Sequence, residues 1–317
     1  MKYYFAPMEG ITGYIYRNAY HGLFPPMDKY FTPFLVPNQK ENFKSRELND
    51  ILPEHNRGLV VIPQVLTNCA EDFIRIARRL KQFGYQEVNL NLGCPSRTVV
   101  AKNRGSGFLA KKEDLERFFD AVFSQADIRI SVKTRIGKDS PDEFYELIEI
   151  FNRFPLEELI IHPRIQTDFY KNKPNLEVFK DSLELSKNQV CYNGDIFTAS
   201  DYEAFRSRFP GVKTVMFGRG IIANPGLIDE ISGRLGPEKR RLREFHDRIY
   251  TGYQKILFGD RNVLFKMKEL WFYMANLFSN PQKYSKKIKK AEKLREYEAV
   301  IDALFLEQEI KFIRREF

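Results

Sequence analysis

The stretch EVNLNLGCPSRTVV, from Glu87 to Val100, decides the fold of this chain. Apolar residues alternate with asparagines over residues 87–92, and this period of two predicts a strand. Gly93 and Pro95 end it, because proline cannot donate to a ladder and glycine permits a sharp turn. Cys94 is therefore expected at the carboxyl end of a buried strand, where ligands and catalytic side chains collect in α/β folds. Since most free cysteines are small buried hydrophobes, a structural role is the alternative.

Short β-rich segments recur over the first two thirds of the chain and predict eight strands. They are Tyr3–Ala6, Lys29–Leu35, Leu59–Val65, Glu87–Leu92, Ile128–Thr134, Glu158–His162, Gln189–Asn193 and Lys213–Phe217. Helical segments lie between most of them, at Ala70–Phe83, Leu115–Phe123, Pro141–Phe154 and Ser200–Phe209. Alternating strands and helices predict a parallel sheet, and eight units predict a (β/α)8 TIM barrel over residues 1–233. The irregular connection at residues 36–58 is expected to hold a short helix and an active-site loop.

After Gly233 the strands stop and long amphipathic segments follow. Arg240–Leu257, Val263–Leu277 and Ala291–Glu309 show apolar residues at helical spacing, with turn residues between them. We therefore expect a separate all-α bundle of three or four helices over residues 234–317.

The positive charge of the chain is concentrated in this tail. The net charge is +9, and residues 234–317 carry 20 lysines and arginines against 12 aspartates and glutamates. A near-neutral body with a basic appendage is typical of a polyanion-binding protein. A solvated, lysine-rich helical tail is the alternative, and Lys283–Lys293 is its densest basic run.

Composition narrows the class of protein. With 317 residues and 43% hydrophobic residues, the chain can bury a large core. It has no apolar run near the ~20 residues that a membrane span needs, and its amino terminus lacks the features of a signal peptide. Cys69, Cys94 and Cys191 are too widely spaced for a disulfide framework or a zinc site. We expect a reduced, cytoplasmic protein without a metal.

Polar residues occur at the end of strand after strand. The set is Pro7, Met8 and Glu9, Gln64, Asn91 and Cys94, Lys133 and Arg135, His162 and Arg164, Asn193, Gly194 and Asp195, and Gly218, Arg219 and Gly220. In a barrel these positions converge on one face. The sequence therefore predicts a polar site there.

Two glycine-containing turns in this set suggest a phosphate. They are Asn193–Asp195 and Gly218–Gly220, after strands seven and eight, where barrels bind phosphate through free backbone N–H groups. Ordinary barrel turns with a solvated Arg219 are the alternative. Lys133, with Gln64 and Asn91, would then face the ring system of the cofactor, and a flavin suits such amides and such a cation. No GxGxxG follows a strand, so a Rossmann-type site is not expected.

The motifs taken together resemble the tRNA-dihydrouridine synthases. They are APMEGIT at 6–12, PQVLTN at 63–68, NLNLGCPS at 89–96, KTR at 133–135, HPRIQTDFY at 162–170, YNGDI at 192–196 and GRG at 218–220. The match runs in order over the whole barrel, and the tail has the size and place of that family's RNA-binding domain. The resemblance implies a TIM barrel that binds FMN and reduces selected uridines of tRNA to 5,6-dihydrouridine.

The same resemblance implies roles for individual residues. Cys94 is expected to donate a proton to the uracil, and NADPH or NADH is expected to reduce the flavin. The expected flavin-site residues are Pro7, Met8, Glu9, Gln64, Lys133, His162, Asn193, Gly194, Asp195, Gly218 and Arg219. Asn91, Arg135 and Arg164 are expected to contact the substrate. Pro163 departs from the HGR of many members and stiffens that turn, and we expect a monomer.

Two other functions remain open on the sequence. A flavin-dependent dehydrogenase of a free pyrimidine, similar to the dihydroorotate dehydrogenases, would share the barrel without needing a basic tail. A non-enzymatic tRNA-binding or chaperone protein would need the tail without needing Cys94 and the strand-end set.

Overall fold

The computed structural model describes residues 1–38 and 43–311, which form two compact units. The barrel unit comprises Met1–Pro7, Asp28–Gly194 and Phe209–Met216, and the helical unit comprises Met8–Met27, Asp195–Arg208 and Phe217–Phe317. Residues 39–42 of the predicted active-site loop and residues 312–317 of the tail lie outside the described residues. The domain boundary at residue 233 stays a prediction.

The strands form one parallel sheet of nine members. They are β1 Lys2–Phe5, β2 Lys29–Phe31, β3 Val61–Ile62, β4 Gln64–Val65, β5 Glu87–Leu92, β6 Arg129–Gly137, β7 Leu159–Ile165, β8 Val190–Tyr192 and β9 Thr214–Phe217. Their order in the sheet is β3-β2-β1-β9-β8-β7-β6-β5-β4. The predicted TIM barrel is confirmed.

The ninth strand results from Pro63, which divides the predicted strand Leu59–Val65 in two. Because β3 and β4 stand at opposite ends of the sheet order and are joined only by Pro63, the sheet closes on itself. The Leu35 nitrogen donates to the Gln64 carbonyl at 2.7 Å, so pairing continues past the proline. The barrel is therefore eight-stranded in connectivity, with one strand interrupted where proline lacks a donor.

The helices alternate with the strands and then replace them. They are α1 Tyr14–His21, α2 Ser45–Ile51, α3 Ala70–Gln82, α4 Arg97–Val100, α5 Lys112–Gln125, α6 Glu143–Phe151, α7 Leu176–Leu185, α8 Ala199–Arg208, α9 Arg219–Ala223, α10 Leu227–Ile231, α11 Lys239–Ile256, α12 Asp260–Met274, α13 Pro281–Lys290 and α14 Leu294–Glu307. Short 3₁₀ helices occur at Pro53–Asn56, Gly105–Ala110, Gln166–Asp168 and Ala275–Leu277. The helix expected within residues 36–58 is α2, and the tail has four α-helices between residues 234 and 311.

The barrel interior combines an apolar cluster with buried charges. Tyr4, Phe31 and Cys191 belong to the cluster. Lys29 Nζ lies 2.7 Å from Glu87 Oε2 and 3.8 Å from Glu158 Oε2. Burial raises the pKa of Glu158 to about 7, even though Lys29 acts in the opposite direction. Lys29 is thus the nearby cation for two buried carboxylates. Because its pKa is raised, Glu158 is partly protonated at neutral pH.

The tail helices pack around a hydrogen-bonded aromatic core. The Trp271 indole donates to the Tyr297 hydroxyl at 2.8 Å, and that hydroxyl lies 2.6 Å from His246 Nε2. His246 Nδ1 lies 2.7 Å from Asp247 Oδ1. Because the Asp247 carboxylate only accepts, the imidazole proton is on Nδ1, and in the neutral ring Nε2 accepts from the Tyr297 hydroxyl. Burial lowers the pKa of His246, which keeps the ring neutral.

Over residues 1–38 and 43–311, no helix combines the length and the apolar character that crossing a membrane requires.

Candidate active site

Amide side chains form a chain across the interior of the barrel unit. Gln64 Nε2 donates to Asn89 Oδ1 at 2.7 Å, and Asn91 Nδ2 donates to Gln64 Oε1 at 2.7 Å. Asn89 Nδ2 in turn donates to Ser131 Oγ at 2.9 Å. All four residues are buried, and each of their side chains has a hydrogen-bond partner within this row. The interaction holds β4, β5 and β6 in register and fixes the orientation of each amide.

The turn that carries Cys94 is built on Asn91. Asn91 Oδ1 accepts hydrogen bonds from the backbone nitrogens of Gly93 at 3.0 Å and Cys94 at 2.9 Å. The Cys94 carbonyl oxygen accepts from the hydroxyl and the nitrogen of Ser106, at 2.8 and 3.1 Å. Gly105 has a φ of +56°, and a Cβ there would lie 2.8 Å from the Cys94 carbonyl oxygen. Cys94 is half-buried, and its backbone is held from both sides.

Arg135, on β6, forms hydrogen bonds to two backbone segments. Its Nε donates to the Gly93 carbonyl oxygen at 3.0 Å. Its two terminal nitrogens donate to the carbonyl oxygens of Ile165 at 2.8 Å and Phe169 at 2.7 Å. The guanidinium carbon also lies 5.5 Å from the centre of the Tyr170 ring. This buried cation thus positions the Cys94 turn against the segment after β7, while its predicted contact with substrate stays a prediction.

Arg164 and His162 form a second fixed pair on β7. An Arg164 terminal nitrogen lies 3.0 Å from His162 Nε2, and its Nε donates to the Asn172 carbonyl oxygen at 2.6 Å. Because a guanidinium only donates, His162 Nε2 is the acceptor and the imidazole proton is on Nδ1. The His162 ring stacks on Tyr170 with centroids 6.1 Å apart. The hydrogen bond at Nε2 and the stacking contact with Tyr170 therefore orient the His162 ring.

Pro163 lies within β7 rather than in a turn. Arg135 pairs with His162, but Gly137 pairs with Ile165, so the register shifts by one residue between them. Such a bulge suits a proline, because the extra residue needs no ladder donor. The Pro163 carbonyl oxygen accepts from the Asn175 nitrogen at 2.6 Å. Pro163 thus lies at an irregularity of the β6–β7 ladder.

Lys133 differs from the other strand-end cations. It is half-buried on β6, and its Nζ makes no hydrogen bond or ion pair within residues 1–38 and 43–311. Burial lowers its pKa to about 8, and the nearby Arg135 charge acts in the same direction. A lysine that is largely charged at neutral pH without a counterion is suited to bind an anionic ligand group.

Asn193 and Gly194 end β8. Asn193 Nδ2 donates to the Met216 carbonyl oxygen at 2.9 Å, which joins the ends of β8 and β9. A Cβ on Gly194 would lie 2.0 Å from the Tyr192 hydroxyl oxygen, so no side chain fits there. The Tyr192 ring therefore packs directly against the Gly194 backbone, and this position requires glycine.

Within the helical unit, the other predicted phosphate residues also contact one another. Arg219 forms a salt bridge with Asp195, and its guanidinium carbon lies 5.4 Å from the centre of the Phe197 ring. Gly218 precedes the short helix α9, and a Cβ on Gly220 would lie 2.0 Å from the Ile196 carbonyl oxygen. Arg219 is therefore paired in this structure, and its predicted phosphate contact stays a prediction.

The turn after β1 is closed by Thr12. The Met8 nitrogen donates to Thr12 Oγ1 at 2.8 Å, and the Thr12 nitrogen donates to the Met8 carbonyl oxygen at 3.0 Å. Thr12 is buried, whereas Glu9 is exposed and Met8 and Pro7 are half-buried. The predicted flavin contacts of Pro7, Met8 and Glu9 stay predictions.

Sequence reasoning missed the residues that support this site. Asn89, Ser106, Thr12 and Tyr170 each orient a predicted site residue, as described above. Asn89 offered a signal, because it is a polar residue on the same face of β5 as Asn91. Ser106 and Thr12 offered none, since their partners are backbone atoms that only the folded loops bring within reach.

The residues of the barrel unit fit a flavin. The observation that supports this fit is Lys133 Nζ, a partly buried cation without a protein partner beside an ordered row of amides. Amide donors and acceptors suit a pyrimidine edge, and a cation suits the position where negative charge develops on reduction. Among the described residues, no group of three or more His, Cys, Asp or Glu side chains is placed to hold a metal ion.

A closed parallel barrel with polar side chains at its strand ends defines a TIM-barrel enzyme architecture. The chain belongs to the dihydrouridine synthase (Dus) family, whose model matches residues 4–311. The resemblance inferred from the sequence motifs is therefore confirmed at the level of the family.

Relatives with curated descriptions agree with this assignment. A tRNA-dihydrouridine(16) synthase of Pseudomonas putida is 26% identical over 259 residues, which cover 78% of each chain. A probable tRNA-dihydrouridine synthase 2 of Bacillus subtilis is 25% identical over 232 residues, which cover 69% of each chain. A probable tRNA-dihydrouridine synthase of Rickettsia prowazekii is 28% identical over 178 residues, covering 56% of this chain and 54% of the relative.

Solved structures agree on the fold. Morphinone reductase superposes with a TM-score of 0.52 at 15% identity, covering 77% of this chain and 88% of the reductase. A second structure of that enzyme, in complex with tetrahydroNAD, gives a TM-score of 0.51 and covers 77% and 90% of the two chains. At this identity the likeness supports the barrel fold alone.

Proposed function

We propose that this chain is a tRNA-dihydrouridine synthase that uses FMN and a nicotinamide reductant, NADPH or NADH. It reduces the bond between carbon 5 and carbon 6 of selected uridines in tRNA. The observation that carries the proposal is Cys94, held on the Asn91 turn at the end of β5, in a chain that the dihydrouridine synthase model matches over residues 4–311.

FMN is proposed to bind over the strand ends of the barrel. Gln64 and His162 are held in fixed orientations that suit polar contacts with its ring, and Lys133 supplies the cation. Gly194 is proposed to offer its backbone N–H to the phosphate, while Asn193 holds the adjoining turn. Pro7, Met8, Glu9, Asp195, Gly218 and Arg219 are proposed to complete the flavin site. When bound, FMN supplies the hydride for carbon 6 of the uracil.

Cys94 is proposed to donate the proton that carbon 5 then needs. The thiol acts as an acid here, so its protonated form is the working one. Asn91, Ser106 and Arg135 hold the backbone on both sides of Cys94, which limits the positions that the thiol can take. Asn91 and Arg135 are thus positioning residues in this proposal, since their polar atoms are bonded to the loop itself. Arg164 has the same role toward His162.

The tail is proposed to bind tRNA. Residues 234–317 carry 20 of the 51 basic residues and a net charge of +8, so phosphate contacts there can offset the cost of extruding the uridine. A dehydrogenase of free pyrimidines would gain nothing from this charge. We therefore rank that activity second and a non-enzymatic RNA-binding protein third.

The experiment that tests the proposal combines a spectrum with an assay. The purified protein is expected to be yellow, with one noncovalent FMN, and to form dihydrouridine in tRNA from a strain that lacks the modification. Absence of flavin bands after reconstitution with FMN would contradict the cofactor. Turnover of free uracil derivatives without turnover of tRNA would favour the pyrimidine dehydrogenase. Mapping dihydrouridine in tRNA from cells with and without the protein then identifies the positions.

A further inference from the structure

A cavity of about 580 Å³ lies between α12 and α13 in the helical unit. Trp271 and Ile288 are buried members of its lining. Other lining residues are accessible from outside or belong to the turn after β1; they include Met8, Glu9, Phe265, Phe272, Ser285 and Lys289. The volume falls in the range of pockets that bind small molecules or single chemical groups, about 300–1,000 Å³.

Two phenylalanine rings at this cavity are exposed to solvent. Phe265 is 59% exposed and Phe272 is 74% exposed. They are seven residues apart on α12, which is two helical turns, so they lie on the same face. The Phe272 ring packs edge-on against the Tyr273 ring, with centroids 5.0 Å apart. A single exposed phenylalanine needs no explanation, but two on one face beside a cavity mark a binding surface.

Charged side chains of both signs line the cavity. They are Lys268, Lys289, Glu9 and Glu269, and within the described part of the chain no carboxylate pairs with Lys289. Lys286, Lys287 and Lys290 are also exposed on α13, so the excess of positive charge comes from this helix. Exposed aromatic rings beside a lysine-rich helix are a combination with which proteins bind single-stranded nucleic acid, because each base has a face to stack and each nucleotide has a phosphate.

The cavity also shares residues with the proposed flavin site. Met8 and Glu9 line it, and Lys266 Nζ on α12 donates to the Gly10 carbonyl oxygen at 2.7 Å. Gly10 has a φ of +85°, and a Cβ there would lie 3.1 Å from Glu269 Oε2. The turn after β1 is therefore packed closely against α12, and a ligand in the cavity contacts that turn directly.

We infer that this cavity binds an unpaired base of the tRNA, other than the uridine that is reduced. The base stacks on Phe272 and Phe265, and Lys289 contacts its phosphate. The inference rests on the proposed function, to which it adds a second site of contact with the substrate. An apolar peptide is a poorer occupant, because it would desolvate the lysines without neutralising them.

The test compares holoenzyme variants that remove a ring at the cavity with one that removes a ring elsewhere. Phe272→Ala, Phe265→Ala and the double variant are measured against Phe258→Ala, whose ring is 98% exposed and outside the cavity lining. Affinity for tRNA is measured over a series of salt concentrations, and Phe272→Trp is the conservative variant. Loss of a stacked base is expected to weaken binding about 5- to 100-fold. The slope of log affinity against log salt is expected to stay unchanged, since no charge is removed.

Several outcomes decide the inference. It is supported if Phe272→Trp binds like the wild type, Phe258→Ala has no effect, and an unstructured RNA oligomer loses more affinity than an RNA duplex. It is overturned if Phe272→Ala and the double variant bind tRNA normally, or if they impair flavin reduction by NADPH instead. Wild-type protein that forms no dihydrouridine would defeat the proposed function, while a loss of RNA affinity confined to the cavity variants would still establish the base site.

Discussion

The side-chain oxygen of Asn91 accepts a hydrogen bond from the backbone nitrogen of Cys94 at 2.9 Å. The same oxygen accepts from Gly93, and the Asn91 amide nitrogen donates to Gln64. One buried side chain therefore connects the amides inside the barrel to the turn that presents the thiol. In the proposed reaction this connection determines the position of Cys94, the proton donor.

Asn91→Ala is expected to loosen the Cys94 turn without removing the thiol. Two backbone donors lose their acceptor, so the free energy of unfolding should fall by about 1–3 kcal/mol. Dihydrouridine formation should slow by about 10-fold or more, because small misplacements of a reacting group are costly. Stability, flavin absorbance and turnover are measured together. Ser96→Ala, an exposed change in the same loop, is the control, and equal effects in the two variants would contradict the role of Asn91.

Cys94→Ala is expected to spare flavin binding and flavin reduction by NADPH while slowing uridine reduction by roughly 10² or more, the scale of losing a general acid. Stopped-flow flavin reduction and dihydrouridine formation are the two readouts. Cys69→Ala removes another half-buried thiol and should change neither. Normal turnover in Cys94→Ala would exclude the proton-donor role, and loss of flavin would indicate a structural one.

Lys133→Met is expected to weaken FMN binding about 10- to 100-fold, which is the scale of a hydrogen bond to a charged group. Because the pKa of Lys133 is about 8, the positive charge is present below pH 8 and lost above it. FMN affinity of the wild type should therefore fall as pH rises through 8, and the variant should lack this dependence. Lys138→Met, which removes an exposed lysine paired with Asp139, is the control. A wild-type affinity that is flat from pH 7 to 9 would contradict the assignment.

Glu158→Gln is expected to stabilise the barrel at alkaline pH. The pKa of Glu158 is about 7 in the folded chain against an ordinary 4.5, so between these values the folded state keeps a proton that the unfolded state loses. The wild type therefore loses stability as pH rises from 4.5 to 7, by about 3 kcal/mol at most. Melting temperatures of the two proteins should converge near pH 4.5, separate as the pH rises from 4.5 to 7, and stay apart above pH 7. Glu157→Gln, at a partly exposed neighbour, should show no such divergence.

Reversing the charges of Lys286, Lys287, Lys289 and Lys290 is expected to weaken tRNA binding and spare flavin binding. All four are exposed on α13, whose buried residues are Tyr284 and Ile288. For each phosphate that these lysines neutralise in the wild type, the slope of log affinity against log salt should become shallower by about 0.9 in the variant.

The control for this test reverses three exposed lysines of the barrel unit: Lys2, the first residue of β1, and Lys187 and Lys213, which precede β8 and β9. If the α13 variant keeps the wild-type slope, the RNA-binding surface lies elsewhere. Deleting residues 240–317 is a coarser version of the test, because it also exposes the apolar residues that the tail buries.

The sequence alone determined the barrel, the positions of its strands and the helical tail. Alternating residues such as those of Glu87–Leu92 and the helical spacing of Ala70–Phe83 are local patterns, and local patterns specify secondary structure. The strand-end site could be predicted as well, since the carboxyl ends of parallel strands share one face. The order of the motifs identified the family.

Only the tertiary structure decided what the individual side chains do. The contact of Asn91, Arg135 and Arg164 with the substrate stays a prediction. The structure adds what the sequence did not indicate, which is that their polar atoms bond to Gly93, Cys94, Phe169, Asn172 and His162. The cavity at Phe272 likewise depends on how α12 meets α13. These contacts join residues up to dozens of positions apart through particular rotamers and loop backbones. A sequence pattern constrains the period of an element, whereas hydrogen-bond partners are selected by distances that exist only in the folded chain.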